Sequence, residues 1–286
     1  MKGLYELIKN NKVVKENAPE NDGQQINIAA LTAMSAGMKN HLSLTQMSSS
    51  VLLPYAEQSN SNQLKEYAAM NNRSYFNVLR MANNLEVLGS QINMQYSKVD
   101  LVRLCREVVD TCSELLDNRK AELRFHSAQK KVIVSADVDR ITQMLLNIIS
   151  NSLINTEKDG IIHVSVSLQH AGAFIKVSDT GCGIASDIIG SIWHRYSEPE
   201  ILTDAKSGAG FGMSVISKIA NMHGGNAFIE SRDIGTTVVV SLPADRTKSL
   251  EQNNATEHCH IYDALPFLIG LAPALDSDKY AQKYMD

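Results

Sequence analysis

Apolar residues at helical spacing dominate the first third of the chain. Over about 26–53 they recur every three or four positions, and Pro54 with the polar run 59–62 interrupts the pattern. A second helical pattern covers about 63–96 and carries an apolar stripe at 3-4-3-4 spacing. The stripe consists of Val78, Met81, Leu85, Leu88 and Ile92. Two such helices form a hairpin that buries its stripes best against a second hairpin. The pattern therefore predicts a dimerisation hairpin at 26–97 that forms a four-helix bundle as a homodimer. Packing of the hairpin on its own chain is the alternative.

Beyond the hairpin, short alternating runs and helical runs follow one another. Helices are predicted at 99–118, after Asp137 as the N-cap residue, and from 213 until the paired glycines at 224–225. Strands are predicted at 122–126, 132–135, 161–168, 173–178, 227–230 and 237–242. This order predicts a two-layer α/β sandwich over 98–245, so the fold class of the whole chain is α+β.

The two ends of the chain differ from these domains in composition. Residues 1–25 turn polar after a short amphipathic piece and have the composition of a linker. Residues 246–286 form a tail that is polar at first and then apolar, and its sequence indicates no function.

Composition narrows the class of protein. The 286 residues are 44% hydrophobic and carry a formal net charge of −4, which supports a real core and argues against nucleic acid as a partner. No apolar run reaches the roughly 18–20 residues that a membrane span needs. We therefore expect a cytoplasmic chain, or the cytoplasmic part of a larger one.

Two glycine clusters carry the candidate chemistry. Asp179, Gly181 and Gly183 follow directly after a predicted strand, and Gly208, Gly210 and Gly212 lead into a predicted helix. Backbone amides can surround a phosphate only where no Cβ blocks their approach, and a helix start favours an anion. The two clusters together predict a phosphate-binding site.

Two asparagines are a further part of this predicted phosphate-binding site. Asn147 and Asn151 lie four residues apart in an apolar helical run, so their side chains share one face of the helix. Amide oxygens beside a phosphate suit Mg²⁺, which usually takes few protein ligands and completes its shell with phosphates and water. These residues are the candidate metal ligands.

In this order the motifs resemble those of the ATP-binding domain of sensor histidine kinases, within the superfamily of gyrase, chaperone, kinase and mismatch-repair ATPases. Asn147 and Asn151 match the N box, and the two glycine clusters match the first and second glycine boxes. The run 192–196 resembles the aromatic box of the ATP lid. The resemblance covers about 26–245 and implies ATP and Mg²⁺ as cofactors.

The resemblance also implies a role for each matching residue. Asp179 would accept a hydrogen bond from the adenine amino group, supported through water by Thr236 or Thr237. Asn147 and Asn151 would hold Mg²⁺ and the phosphates, and the second glycine box would close over the γ-phosphate. Ile154 stands where family members often carry a basic residue; the candidates to replace that charge are Lys206, His194 and Arg195. His223 is expected to pack at a helix end.

The acceptor motif of the family is incomplete. Residues 38–42 resemble the end of the phosphoacceptor motif, and in that register the histidine falls on Ala36 and the acidic residue on Gly37. Alanine offers no nucleophile and glycine no general base. His41 is the alternative acceptor. At about 100° per residue, however, His41 falls on one narrow face with Met34, and we expect that face to be buried while Ala36 faces solvent.

The resemblance implies a dimeric protein of two-component signal transduction. An ATP-dependent phosphotransferase of this kind would transfer the γ-phosphate of Mg-ATP to a histidine in a partner or at an alternative site. The alternative is a catalytically inactive, nucleotide-responsive scaffold that binds a response regulator. The expected partner in either case is the receiver domain of a response regulator.

Overall fold

Two long antiparallel helices form the hairpin in the computed structural model, which describes residues 28–89, 92–116, 121–169, 172–184, 211–231, 234–244 and 264–281. Helix α1 spans Ile28–Gln58 and helix α2 spans Asn62–Gly89. The predicted break at Pro54 is wrong, because α1 continues through this proline. Ser50, whose carbonyl loses its helical donor to the proline ring, lies on the exposed side of the helix.

The hairpin is joined by polar side chains as well as by apolar ones. Ser35 Oγ donates to the carbonyl of Ala82 at 2.9 Å, and Lys39 pairs with Glu86 at 2.7 Å. The buried face of α1 repeats at helical spacing and consists of Ser35, Leu42, Ser49, Leu53 and Ala56. Because these small and polar residues alternate with leucines, the face gives a weak apolar signal in the sequence.

The second domain is the predicted α/β sandwich. Its helices are α3 (Leu101–Leu116), α4 (Val138–Asn155) and α5 (Gly212–Met222). Its strands are β1 (Ser97–Asp100), β2 (Glu122–Ser127), β3 (Ile133–Ala136), β4 (Ile161–Gln169), β5 (Gly172–Asp179), β6 (Asn226–Ser231) and β7 (Thr236–Leu242). Asp137 caps α4 as predicted, with its carboxylate accepting from the backbone N–H of Arg140 at 3.2 Å.

Five strands form one mixed sheet in the order β2-β4-β5-β7-β6. Strands β2 and β4 are parallel, and the remaining neighbours are antiparallel. The core lies between this sheet and the helices α3, α4 and α5, whose buried side chains join those of the central strands. The order places the end of β5 beside the start of β7, where Asp179 accepts hydrogen bonds from Ser152 of α4 and from Thr236.

Strand β1 was not predicted. It pairs antiparallel with β3, and the prediction placed residues 99–100 at the start of a helix. Asp100 instead caps α3, since its Oδ1 accepts from the N–H of Val102 at 3.1 Å. A strand of four residues carries too little alternation to be recognised without its distant partner.

The hairpin packs on its own chain, the alternative considered for the sequence. Leu85 and Leu88 of the predicted intersubunit stripe are 5% and 7% exposed within the single chain, and Leu88 joins the main core. Lys218 of α5 donates to the carbonyl of Leu88 at 2.8 Å. Leu85 and Leu88 are therefore not available to a second hairpin in this arrangement, whereas Val78 at the other end of the stripe is 37% exposed.

The C-terminal segment (264–281) is also part of the fold. It consists of helix α6 (Leu265–Gly270) and a 3-10 turn (Ser277–Tyr280), which pack against α2 and α4. Seven of its apolar residues are buried, namely Phe267, Leu268, Leu271, Ala272, Ala274, Leu275 and Tyr280. The segment thus lies where the hairpin and the α/β domain meet.

No helix in the described part of the chain combines the length and the apolar character that crossing a membrane requires.

Candidate functional site

The carboxylate of Asp179 is held in one orientation at the end of β5. Its Oδ1 accepts from the backbone N–H groups of Gly181 and Thr236, both at 3.0 Å. Its Oδ2 accepts from the hydroxyl of Ser152 at 2.9 Å. A carboxylate offers about four acceptor sites, so one remains for a ligand. The sequence did not indicate Ser152, although this residue directly follows Asn151 on α4.

The first glycine box brings the backbone close to neighbouring carbonyls. A Cβ on Gly181 would collide with the carbonyl oxygen of Asn155, and one on Gly235 would collide with that of Asp179. Gly235 also has a φ of 80°, and its N–H donates to the carbonyl of Gly181 at 2.8 Å. Gly183 has a φ of 71°. These positions need glycine because the β5 and β7 ends approach each other through their backbones.

The two threonines of β7 have different neighbours. Thr236 supports Asp179 through its backbone N–H, and its hydroxyl lies 3.1 Å from that of Ser231. The hydroxyl of Thr237 lies 2.9 Å from that of Ser178 on β5. A water-mediated contact from either hydroxyl to adenine stays a prediction.

The structure brings the N box and the end of the second glycine box together. A Cβ on Gly212 would lie 3.3 Å from Asn151 Nδ2 and 3.6 Å from Asn147 Oδ1. Gly212 begins α5, so the positive end of a helix dipole faces these amides. The absence of a side chain at Gly212 leaves space beside the amide oxygens of Asn147 and Asn151, at the start of a helix. These three features together fit a magnesium ion with a phosphate group.

Asn147 is engaged by the hairpin. Arg80 Nη2 on α2 donates to Asn147 Oδ1 at 2.8 Å, and Asn84 Nδ2 donates to the same oxygen at 3.3 Å. Arg80 and Asn84 are buried, at 7% and 5% exposure. The motifs of the sequence include neither residue. Nothing in the sequence pattern links them to a residue more than sixty positions away, so only the packing of α2 on α4 shows the contact.

The family's basic position is apolar here. Ile154 is 38% exposed and offers no charge to a phosphate. The predicted substitutes Lys206, His194 and Arg195 lie outside the described residues. The same holds for Gly208, Gly210 and the lid run 192–196.

His223 closes the end of α5 as predicted. Its Nε2 accepts from the backbone N–H of Asp137 at 3.1 Å, and its Nδ1 lies 2.8 Å from the carbonyl of Ile219. An accepting Nε2 requires the neutral ring with its proton on Nδ1. Burial accordingly lowers the pKa of His223 below its ordinary value.

The acceptor positions of α1 are open to solvent. Ala36 is exposed, and a Cβ on Gly37 would meet no atom within 4 Å. The prediction that His41 lies on a buried face is wrong within the single chain, because His41 and Met34 are both exposed. The buried face of α1 runs instead through Leu42, about 100° around the helix from His41.

Comparisons with known proteins agree with this geometry. Residues 136–246 match the family described as histidine kinase-, DNA gyrase B-, and HSP90-like ATPase. Sensor histidine kinase ZraS of Escherichia coli K12 is 31% identical over 170 residues, which are 59% of this chain and 36% of ZraS. Histidine protein kinase DivJ of Caulobacter vibrioides is 29% identical over 192 residues, 64% of this chain and 32% of DivJ. The chain is thus similar to sensor histidine kinases, and its residues 136–246 match the ATPase family that histidine kinases share with DNA gyrase B and HSP90.

The solved structure of another protein shares the fold. The crystal structure of full-length ShkA in complex with AMPPNP covers 77% of this chain and 46% of ShkA, with a TM-score of 0.59 and 20% sequence identity. At this identity the likeness shows the fold alone. The chain spans about a third of the length of the two curated relatives and less than half of ShkA.

Proposed function

We propose that this histidine-kinase-family chain binds ATP with Mg²⁺ and transfers the γ-phosphate to a histidine outside the usual acceptor position. The observation that carries the proposal is the Asp179 carboxylate. Three protein donors orient it at the end of β5. The candidate phosphate site between Asn151 of α4 and Gly212 of α5 lies on the neighbouring helices. Such an arrangement matches an adenine acceptor at one end and a phosphate site at the other.

Each residue then has a defined task. The free acceptor site of Asp179 takes a hydrogen bond from the adenine amino group, and Ser152 keeps the carboxylate from turning. The N-terminus of α5 at Gly212 attracts the phosphates, and Asn147 and Asn151 supply amide oxygens for the metal. Mg²⁺ supplies neutralisation of phosphate charge when bound. Catalysis in such a site consists mainly of positioning and charge stabilisation.

The acceptor histidine is expected on another protein or at another position. Ala36 lacks a nucleophile, so the usual position cannot take the phosphoryl group. His41 is exposed and therefore reachable, but Leu42 follows it where an acidic residue would assist. Transfer forms a phosphorus–nitrogen bond to an imidazole and releases ADP as the leaving group. Because the cytoplasm supplies ATP, we propose that the activity takes place there.

A second candidate function follows from the absence of a histidine at Ala36. In this alternative the chain transfers no phosphate, and nucleotide binding changes the shape of a dimer that docks the receiver domain of a response regulator. Ala36 and Gly37 favour it, because both reactive groups of the acceptor motif are absent. Labelling with γ-labelled ATP distinguishes the two functions.

Calorimetry on an Asp179→Asn variant tests the nucleotide site. The variant keeps Oδ1 as acceptor for Gly181 and Thr236, so the fold is expected to survive. Its amide offers no suitable acceptor to the adenine amino group, and we expect Mg-ATP affinity to fall by about tenfold or more. The matched control is Asp159→Asn, at an exposed turn with a φ of 68° that asparagine also adopts. Equal affinities of parent and Asp179→Asn would show that the glycine boxes serve only the fold.

A further inference from the structure

One face of α2 joins the nucleotide site to the C-terminal segment. Asn72, Phe76, Arg80 and Asn84 recur every four residues, so they form one row along the helix. All four are buried. The first half of the row contacts the C-terminal segment, and the second half contacts Asn147.

Asn147 has no hydrogen-bonding capacity left in this arrangement. Its Oδ1 accepts from Arg80 at 2.8 Å and from Asn84 at 3.3 Å. Its Nδ2 donates to Asn84 Oδ1 at 3.3 Å and to the carbonyl of Gln143 at 3.0 Å. An amide oxygen has two lone pairs, and both are taken by nitrogen donors. No lone pair therefore remains for a metal ion.

The charge of Arg80 also opposes a metal ion at the Asn147 oxygen. Its guanidinium is buried with Nε lacking a hydrogen-bond partner, and it forms no ion pair within the described ranges. Burial lowers the pKa of Arg80 to about 10, which leaves it charged at neutral pH. A second cation on the same amide oxygen would meet strong repulsion in this dry setting.

The C-terminal segment holds α2 in this position. Tyr280 is fully buried, its ring centroid lies 5.2 Å from that of Phe76, and its carbonyl accepts from Asn72 at 3.0 Å. Arg73 donates to the carbonyls of Ala272 at 3.2 Å and Pro273 at 3.1 Å.

The same segment also contacts α4 beside the N box. A Cβ on Gly270 would lie 2.7 Å from the Cβ of Leu146, the residue before Asn147. The segment therefore touches α2 and α4 on either side of the Arg80–Asn147 contact.

We propose that the C-terminal segment is an autoinhibitory element that holds Arg80 on Asn147, and that Mg-ATP must displace Arg80 to bind there. Arg80 and Mg²⁺ are mutually exclusive at the Asn147 oxygen. Metal-nucleotide binding therefore loosens α2 from α4, and release of the C-terminal segment favours metal-nucleotide binding. This inference rests on the proposed function, because it assigns a regulation to the same site.

The first test is calorimetry on the full-length Arg80→Met variant, which keeps the apolar stem and removes the charge. We expect Mg-ATP to bind about tenfold more tightly than to the parent, as a charge-assisted contact no longer competes. Binding of ATP with EDTA is expected to change little, since no metal then competes. Arg124→Met on the exposed face of β2 removes the same charge away from the site and should leave both affinities unchanged. Weaker Mg-ATP binding by Arg80→Met would make Arg80 a phosphate ligand and overturn the proposal.

The second test acts on the C-terminal segment without touching Arg80. Gly270→Val places a Cβ against Leu146 and should push the segment off α4. We expect tighter Mg-ATP binding and faster hydrogen exchange along α2, with no further gain when Arg80→Met is added. Gly37→Ala, which has open space around its Cβ, is the glycine control. Unchanged affinity and exchange in Gly270→Val would overturn the role of the segment.

Asp179→Asn in the Arg80→Met background separates this inference from the proposed function. If both parent and Arg80→Met bind Mg-ATP equally and Asp179→Asn abolishes both, the nucleotide site stands and the competition is wrong. If no variant binds Mg-ATP, the proposed function fails and the inference fails with it.

Discussion

At the scale of single residues, His223 shows how one side chain joins distant parts of the α/β domain. It ends α5, accepts from the residue that caps α4, and stacks edge-on against Tyr96 with ring centroids 5.6 Å apart. Tyr96 in turn donates to the carbonyl of Met222 at 2.6 Å. The neutral imidazole is required, because a protonated ring has no acceptor for the N–H of Asp137.

This requirement predicts a pH dependence of stability. Burial, the largest cause, lowers the folded-state pKa of His223 below the ordinary 6.5. The folded protein then binds fewer protons than the unfolded chain, so the contribution of His223 is complete above 6.5 and is lost as pH falls toward the folded pKa. Thermal unfolding of the parent and His223→Gln at pH 7.5 and 5.5 checks this. The variant should be about 1 kcal/mol less stable at pH 7.5 and lose less stability on acidification. Equal losses in both proteins would contradict the assignment.

At the scale of elements, α1 presents an acceptor helix without its reactive groups. Ala36 and Gly37 lie on its open side, and the contacts that hold α1 to α2 run along the opposite face through Ser35 and Leu42. New side chains at the two positions therefore meet solvent and leave the hairpin packing intact.

Restoring the acceptor pair tests this view of α1. Ala36→His with Gly37→Asp should be tolerated, since replacing a mid-helix glycine removes a penalty of roughly 0.5–1 kcal/mol. Incubation with γ-labelled ATP should then yield acid-labile labelling that the parent lacks on α1. Strong labelling of the parent that His41→Ala abolishes would make His41 the acceptor. Absence of label from both proteins while both bind ATP would favour the scaffold function.

At the scale of the whole molecule, the hairpin leaves a large apolar surface uncovered. The exposed residues are Leu44, Met47, Val51, Leu52, Tyr55, Leu64, Tyr67 and Met70. They lie toward the connected ends of α1 and α2, away from the part of α2 that the α/β domain covers. An exposed apolar surface of this kind is typical of an interface. The predicted homodimer is therefore expected at this end of the hairpin, and Leu85 and Leu88 are expected to take no part in it.

Light scattering on a Leu52→Glu, Tyr55→Glu variant tests the dimer. The two side chains are 59% and 70% exposed, so charge should be harmless in a monomer. Burying two unpaired carboxylates in an interface costs several kcal/mol, and we expect the variant to be monomeric. Leu168→Glu, at an exposed leucine of β4, is the matched control and should leave the mass unchanged. A dimer that persists in the double variant would place the interface elsewhere.

Much of the α/β domain was predictable from the sequence. Strand β4 alternates cleanly, β5 is a mostly apolar run that ends at Asp179 before its glycines, and Asp137 caps its helix. These signals depend on residues close together in the chain, whose spacing follows from helix and strand geometry. The N box and first glycine box were readable for the same reason, because each motif lies within one turn or one helix.

The tertiary structure decided which residues meet across the chain. It placed Arg80 on Asn147, buried Leu88 in the main core, exposed His41, and placed Tyr280 against Phe76. The spacing of residues within one helix does not show which distant segment that helix meets, because separation along the sequence is unrelated to distance in space. The sequence by itself determined the local elements and the chemistry of the motifs. The packing of α2 and the C-terminal segment on α4 determined which side chains of these motifs are free to bind a ligand. Burial and the use of every hydrogen-bonding atom are properties of the folded chain, and the sequence alone does not show them.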